Sequence, residues 1–224
     1  MKLYFHPVST ASRPVVLFCA EAGITYDPVI VDLMTGAHFK EPFISLNPSA
    51  QVPVIEDGDL VLTESSAILK YLAEKVGSPA YPKDVKQRAC VNERMDWFNT
   101  GFYREWGYHL VYPQLFPHHK RSSDEAQRDT VEWGRDKTEF WLKVLEGHIL
   151  GNRKFVCGSE LTIADHFGAE IIAAGDLIGV GFDRFPNIKR WMAAMRALPG
   201  WAKANEATDG YAASLKGQKF VSIG

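Results

Sequence analysis

Between Gln51 and Leu72 the chain reads QVPVIEDGDLVLTESSAILKYL, and the period of its apolar positions changes inside that stretch. Two short apolar runs, Val54-Ile55 and Leu60-Val61-Leu62, flank Glu56-Asp57-Gly58-Asp59. An Asp-Gly between β-prone runs predicts a hairpin. After Thr63-Glu64-Ser65-Ser66, the apolar residues Ile68, Leu69 and Leu72 follow the helical period, with Ser65 or Thr63 suited to cap the helix. Upstream, Lys2 to Phe5 reads as a strand and Arg13 to Ala22 as a helix, with Pro14 in its first turn and Gly23 as its stop. Tyr26 to Val31 is β-branched and alternating, so a second strand is expected there. A loop over 32–40 and a short helical turn over 41–46 complete this half.

The order is β-α-β, then β-β-α, in about eighty residues, which is a thioredoxin-like arrangement mixing parallel and antiparallel strands. The expected division is a thioredoxin-like domain at 1–76, a linker at 77–83 and an all-helical domain at 84–224. Gly77-Ser78-Pro79-Ala80-Tyr81-Pro82 supplies the linker, with two prolines, a glycine and little to pack. Helices are predicted over 84–115, 123–150, 162–175 and 187–196, with Trp201 in a closing stretch. The Gly, Lys and Ser content of the tail, 207–224, predicts no firm structure and leaves open whether it covers a pocket.

Composition narrows the class without naming the chemistry. The 224 residues are 46% apolar and 23% charged, values of a globular protein able to bury a core. A net charge of -2 argues against nucleic acid and anionic membranes as partners. Cys19, Cys90 and Cys157 lie far apart in sequence, with no C-x-x-C, and His118-His119 is adjacent rather than four apart, so no metal site is expected. With no apolar run of membrane length and no apolar core in MKLYFHPVST, a cytoplasmic protein is the expectation.

The candidate chemistry gathers at loops and helix starts. A strand feeding straight into a polar helix start leaves unpaired N–H groups and partial positive charge, which suit a carboxylate. Glu64 beside Ser65 adds an acceptor for an ammonium, so the pair suits an α-amino acid head group. A cis Val52-Pro53 bond would turn the Val52 backbone outward, where a peptide ligand pairs with it as one more strand. His38, Lys40 and Gln51 are loop polar groups placed for a distant carboxylate. Ser9-Thr10-Ala11-Ser12 occupies the position of the redox dithiol in thioredoxin-like proteins, so dithiol chemistry is unavailable but a hydroxyl remains at a helix N-terminus. The Ser9 O–H can donate to a bound thiolate, with Ser12 the better cap. Lowering a thiol pKa from about 8.5 by roughly two units takes only about 2.7 kcal/mol of preference for the anion. One charge-assisted hydrogen bond and a helix dipole are of that size.

Aromatic residues crowd the segment from Trp97 to Tyr112. Helical spacing assigns part of them to the core; their density exceeds what one helix needs, and Phe102, Trp106 and Tyr108 are candidates to line an apolar pocket, with Arg104 as an anion binder. Thr162-Ile163-Ala164-Asp165 reads as a capping box whose role is structural. On that reading Asp165→Ala costs about 0.5–2 kcal/mol of stability.

Taken together, these residues resemble a soluble glutathione S-transferase over nearly the whole chain, most closely in 1–75 and at the capping box. Phe5-His6-Pro7-Val8-Ser9-Thr10-Ala11-Ser12-Arg13, with Leu62-Thr63-Glu64-Ser65-Ser66-Ala67-Ile68, looks most like the theta-type, serine-using branch. The resemblance implies Ser9 as the serine that stabilises the glutathione thiolate. It implies Glu64 and Ser65 on the γ-glutamyl group, and Val52 before a cis Pro53 on the cysteinyl backbone. His38, Lys40 and Gln51 would surround the glycine carboxylate, Gln51 standing where a lysine is common. Arg104 matches an active-site arginine of some theta-type members. The tyrosine-using classes carry a tyrosine near the end of the first strand, and Tyr4 lies too early for that role.

The expectation is therefore a glutathione transferase that activates glutathione for attack on a small apolar electrophile, needs no metal and works as a homodimer. The alternatives are a non-catalytic glutathione-binding or assembly module of the same fold, or a glutathione-dependent isomerase or dehalogenase.

Overall fold

The computed structural model describes residues 1–223; Gly224, the last residue of the expected helical domain and tail, lies outside them. Strands β1 (Lys2–Phe5), β2 (Asp27–Ile30), β3 (Val54–Asp57) and β4 (Leu60–Thr63) form one mixed sheet in the order β2-β1-β3-β4. β1 runs parallel to β2, and α1 (Arg13–Glu21) makes the crossover; β3 is antiparallel to both β1 and β4. Gly58, at φ +66°, turns the β3–β4 hairpin where the sequence places it. α2 (Phe43–Leu46) packs beneath one face, burying Phe43 against Val31, Val52 and Val54. α1 and α3 (Ser65–Lys75) cover the other face with Val15, Leu17, Ile68, Leu69 and Leu72.

The helical half begins at α4 (Val85–Asp96), capped by Asp84, whose carboxylate accepts from the Gln87 N–H at 2.9 Å. The helix does not keep an α period. It continues as wider, π-type turns over Trp97–Phe102 and Arg104–Val111 before a last α turn, α5 (Tyr112–Leu115). α6 (Asp124–Val144), α7 (Ile163–Ala173), α8 (Pro186–Arg196) and α9 (Trp201–Ser214) complete the bundle, with α7 buried along its whole length. One apolar cluster runs without interruption from Leu3 and Val15 through Val91 and Phe98 to Trp191 and Met195. The linker shares in it. Ala80 is buried and its carbonyl accepts from the Ile163 N–H at 3.0 Å, so that stretch packs more than its composition suggests.

Two expectations are corrected. The residue preceding α3 is Glu64, at φ +64°, not Ser65 or Thr63, because β4 extends through Thr63 and leaves one residue to make the turn. The tail also has structure. The alanine-rich stretch from Trp201 continues as α9 to Ser214, burying Ala204, Asn205 and Thr208. Beyond it the Gln114 carboxamide pairs with both the N–H and C=O of Val221, and Ile223 is buried.

The capping box is present, and it carries more than a cap. The Asp165 carboxylate is fully buried and accepts from the Thr162 N–H and hydroxyl, the Val156 N–H and the Trp191 indole, at 2.8–3.0 Å. Burial pushes its pKa up to about 6, against the pull of those four donors. Asp165→Ala strands buried donors on three elements, so the expected loss rises above the capping value, to about 3–5 kcal/mol. Denaturant unfolding at fixed protein concentration reads it; a loss below about 1 kcal/mol would show that the four bonds add nothing to a simple cap.

His166, on the next residue, is also buried. Its Nδ1 hydrogen-bonds the Thr162 carbonyl at 2.9 Å, and its ring stands edge-on to Phe18 of α1. Burial lowers its pKa to about 4. The folded chain therefore refuses a proton that the unfolded chain takes up below about pH 6.5. Stability from this group is complete above pH 6.5 and is lost as pH falls toward 4, about 2 kcal/mol being gone at pH 5. Asp165 and Glu170, both raised by burial, bind protons in the folded state and act in the opposite direction. The test is therefore a difference: His166→Gln loses about 2 kcal/mol less than the parent between pH 7 and pH 5, and parallel pH profiles would refute it.

Candidate functional site

Three turns of the first half meet two helices of the second. After β1 the chain folds back on itself: the Ser9 N–H donates to the His6 carbonyl at 2.9 Å, and the Ser12 and Arg13 N–H groups donate to the Ser9 carbonyl. This sets Ser9 one turn ahead of α1. The Ser9 Oγ accepts from the Ser12 N–H at 3.2 Å, and its own O–H has no acceptor among the described residues.

The second turn is organised by Asn47, which is buried. Its Nδ2 donates to the Gln51 carbonyl at 2.7 Å and its Oδ1 accepts from the Ser49 N–H at 3.0 Å. The loop closes around that carboxamide and delivers Gln51, Val52 and Pro53, with the Val52-Pro53 bond cis as expected; Glu41-Pro42 is also cis. The Val52 side chain is buried, whereas its backbone N–H and C=O find no partner among the described residues.

The third turn is the strand-to-helix junction at Glu64. A positive φ at a non-glycine residue is disfavoured and persists where surrounding structure holds it. Here it starts α3, whose first N–H groups have no partner within the helix, at the buried Ser65.

These turns form one wall of a cleft of about 240 Å3, lined by Ala11, Asn47, Gln51, Val52, Pro53, Glu64 and Ser65. Asn99, Tyr103, Tyr108, Phe167 and Ile171 line the other. One wall is polar and rich in backbone; the other is mostly aromatic and aliphatic. A second depression, around Gly147, His148 and Arg153, is wide and open, and its arginine is held by the His148 and Ile149 carbonyls.

Of the residues proposed from sequence, Gln51, Val52, Pro53, Glu64, Ser65 and Tyr108 line this cleft. Ser9 does not line it; it stands two residues before Ala11, which does. His38 and Lys40 do not line it; the His38 ring packs on Phe39 at 4.0 Å, and burial together with the neighbouring His118 lowers its pKa. Phe102 and Trp106 are core residues, each fully buried and stacked on one another at 5.5 Å, with the Trp106 indole donating to the Ile171 carbonyl. Arg104 lies outside the cleft, its exposed guanidinium donating to Glu105. Aromatic density, which singles out Phe102 and Trp106, and the resemblance, which supplies Arg104, do not fix a helix face; the π-type turns place Tyr103 and Tyr108, five apart, together on the cleft. Asn99 with Tyr103, and Phe167 with Ile171, are four apart, a spacing that a search of the helices for cleft-facing pairs would have found.

Tyr103 and Tyr112 share a hydroxyl–hydroxyl contact of 2.6 Å, and Tyr108 stands edge-on to both rings. Burial raises all three phenols, Tyr112 to about 12, and the negative charge of Glu64 raises Tyr108 further. The aromatic wall is therefore uncharged at neutral pH, and Tyr108 keeps its proton as a donor.

Behind the Ser9 turn lies a buried ionic network. The Arg13 guanidinium donates to Asn205 Oδ1 at 2.6 Å and to the Glu170 carbonyl at 3.0 Å, and stands 3.3 Å from the Glu170 carboxylate. Asn205 in turn donates to Glu170 at 2.9 Å. α1 is thereby tied to α7 and α9 directly behind the cleft.

Comparison with known proteins places both halves in one family. Residues 1–74 match the glutathione S-transferase N-terminal domain and residues 109–199 the glutathione S-transferase C-terminal domain. Glutathione S-transferase theta-2 of Mus musculus is 32% identical over 210 residues, 92% of this chain and 85% of that protein. Glutathione S-transferase theta-1 of Homo sapiens is 31% identical, over 89% of this chain and 84% of that protein. The solved structure of human glutathione transferase theta-2, in complex with glutathione and an unknown ligand, superposes with a TM-score of 0.84 at 28% identity, covering 100% of this chain and 93% of that one. A delta-class glutathione transferase of Nilaparvata lugens gives 0.80 at 32% identity, covering 96% and 98%.

Proposed function

The chain belongs to the glutathione S-transferase family and is a glutathione transferase of theta-like sequence, and on that premise we propose that Ser9 stabilises the glutathione thiolate for attack on an apolar electrophile held against the aromatic wall. The observation that carries this reading is the Ser9 hydroxyl. It is anchored as an acceptor by the Ser12 N–H, its O–H is uncommitted, and it stands at the start of α1, where partial positive charge favours an anion.

The rest of the tripeptide follows from the polar wall. The unpaired Val52 N–H and C=O suit the cysteinyl backbone, as in strand addition. The α3 N-terminus with Ser65 suits the γ-glutamyl carboxylate, and Glu64 its ammonium. Gln51 suits the glycine carboxylate, with His38 and Lys40 on the loop beyond it. The electrophile side is reassigned from Phe102, Arg104 and Trp106 to Tyr103, Tyr108, Phe167 and Ile171, with Tyr108 positioned to donate to a developing negative charge on the leaving group. Binding on one wall and stacking on the other brings thiolate and electrophile together, so catalysis is thiolate generation plus proximity.

The division at 1–76, 77–83 and 84–224 then has a functional sense: the first part holds the tripeptide and the last the electrophile. We further propose a homodimer, supported by the exposed Val61 on edge strand β4 and exposed Val76 and Val85 flanking the linker. Light scattering should read twice the chain mass; a single-chain mass at micromolar concentration would refute it. No described helix is long and apolar enough to cross a membrane.

The decisive measurement is the pKa of the bound glutathione thiol, followed by thiolate ultraviolet absorbance. In the parent it should lie well below the free value, and Ser9→Ala should raise it by about one to two units and lower kcat/KM by about 10- to 100-fold. A lowered pKa that survives the substitution moves the donor role to Thr10, Ser12 or the backbone. Binding with no pKa shift in the parent removes the transferase mechanism and leaves a carrier.

A further inference from the structure

One hydroxyl on the helical wall of the cleft is held by a neighbour before any ligand arrives. The Tyr103 and Tyr112 hydroxyl oxygens lie 2.6 Å apart, with the rings edge-on at 6.1 Å. Gly107 seats the contact: a Cβ there would come within 2.7 Å of Tyr103 Cε2 and 3.1 Å of Tyr112 Cε2, so the two rings fill the space a side chain would need. Tyr108 closes the cluster, its ring 5.4 Å from each of the others. The paired phenols differ in where they lead. Tyr103 is half-buried and lines the cleft, whereas Tyr112 is 8% exposed and does not line it.

A hydrogen bond between two hydroxyls uses one proton and leaves the other to find an acceptor. An O–H buried without an acceptor is costly. The favoured direction is therefore from Tyr112 to Tyr103, which leaves the Tyr103 O–H to the cleft. A hydroxyl that accepts one hydrogen bond is also polarised to give a stronger one. Tyr108 contrasts with it: that ring is 40% exposed, and its hydroxyl has no hydrogen-bond partner among the described residues to fix its direction. A donor fixed in advance is the kind that stabilises charge at little cost in reorganisation.

We propose that Tyr103, oriented and polarised by Tyr112, is a catalytic hydrogen-bond donor to an electrophile whose oxygen gains negative charge as the sulfur adds, and that the favoured substrate class is the α,β-unsaturated carbonyl compound. This rests on the reading of the cleft as a glutathione transferase site and adds a reaction type to it. The thiolate sulfur bonds to the β-carbon, the C=C pair moves between the α-carbon and the carbonyl carbon, and the C=O pair moves onto oxygen. Tyr103 donates to that oxygen. The α-carbon then takes a proton from water, which restores the carbonyl and balances the proton the thiol gave to solvent. Tyr103 keeps its own proton throughout. Burial holds its phenol well above the ordinary value, which suits a group that gives a hydrogen bond rather than a proton. Tyr112 touches no substrate and acts as a positioning residue.

The experiment assays the full-length protein with glutathione and two electrophiles of similar size, cinnamaldehyde and benzyl chloride. The parent is compared with Tyr103→Phe, Tyr112→Phe and the double variant; phenylalanine keeps each ring on Gly107, and thermal melting verifies folding. In Tyr103→Phe, kcat with cinnamaldehyde should fall by about 10- to 100-fold, a loss about 10-fold larger than with benzyl chloride. Tyr112→Phe should lower kcat with cinnamaldehyde by about 3- to 10-fold with KM little changed. The double variant should be no slower than Tyr103→Phe alone, because Tyr112 acts through Tyr103. Equal losses with both electrophiles would reduce the pair to packing and overturn the donor role. A Tyr112→Phe protein faster than the parent would show the bond running from Tyr103 to Tyr112 and overturn it too, and losses that multiply in the double variant would overturn the positioning role. A parent that conjugates benzyl chloride but not cinnamaldehyde would overturn the substrate class and leave the thiolate reading standing. A parent that conjugates neither, with no lowering of the bound thiol pKa, would take both down.

Discussion

The buried contact between Arg13 and Glu170 sets the relation between the two halves of the molecule. Their side chains are 2% and 0% exposed, so neither charge has water to fall back on. An ion pair so deeply buried contributes little net stability, but breaking it by removing one partner leaves an uncompensated charge costing about 3–5 kcal/mol. The pair therefore acts as a constraint on geometry. Arg13 begins α1, and its N–H is bonded to the Ser9 carbonyl. Glu170 directly precedes Ile171 on α7, between the two residues that helix gives the cleft. Holding the guanidinium against α7 and Asn205 of α9 fixes how the Ser9 turn faces the aromatic wall. Apolar contacts alone would let the sheet layer slide against the bundle; a planar guanidinium with directed partners permits one register.

The two walls of the cleft are made in different ways, and this suits two ligands of different kinds. On the sheet side the groups that face the cleft come largely from backbone: the Val52 amide and the first amides of α3, presented by a loop closed on Asn47 and by a positive φ at Glu64. Backbone groups held by turns are rigid and read the extended main chain of a peptide, so that wall can recognise one molecule closely. On the helical side the groups are side chains with large faces and few hydrogen bonds to offer. Stacking and apolar burial tolerate variation in shape, so that wall suits a range of partners without changing the proposed tripeptide site.

Most of the fold was legible in the sequence because its signals are local. The β3–β4 hairpin follows from Asp-Gly between apolar runs, and the α7 capping box from Thr162 and Asp165 three apart. The turn residues of the cleft, from Gln51 to Pro53 and from Glu64 to Ser65, were legible for the same reason. The helical wall was not, because α4 changes its winding after Asp96. No residue type marks a π-type turn, and the density of aromatic residues over Trp97–Tyr112, which singles out Phe102 and Trp106, does not say which face each takes; both lie in the core. Arg104 comes from the resemblance, and here its side chain is exposed beside Glu105. The tail was misjudged for a different reason: its anchors, Gln114 against Val221 and the burial of Ile223, are contacts about a hundred residues apart that composition cannot carry.

The charges around the cleft show why a hydroxyl is an adequate donor for the proposed thiolate. Tyr103, Tyr108 and Tyr112 are all held neutral by burial, so no phenolate competes for the anion's place. Glu64 is an acid lining the cleft, but it lies at the α3 turn, on the wall where an ammonium is proposed to bind, and not at the Ser9 turn. The Arg13 charge is largely spent on Glu170 and Asn205, so it adds a modest positive potential behind Ser9 without presenting a cation to the sulfur. What remains for the sulfur is one O–H and the start of α1. A shift of two pKa units needs about 2.7 kcal/mol, and a hydrogen bond to a charged group is worth about 1.5–3 kcal/mol. The site has no need of a stronger donor. A full positive charge at that distance would hold the thiolate more tightly and make it a poorer nucleophile, since nucleophilicity falls as thiol pKa falls.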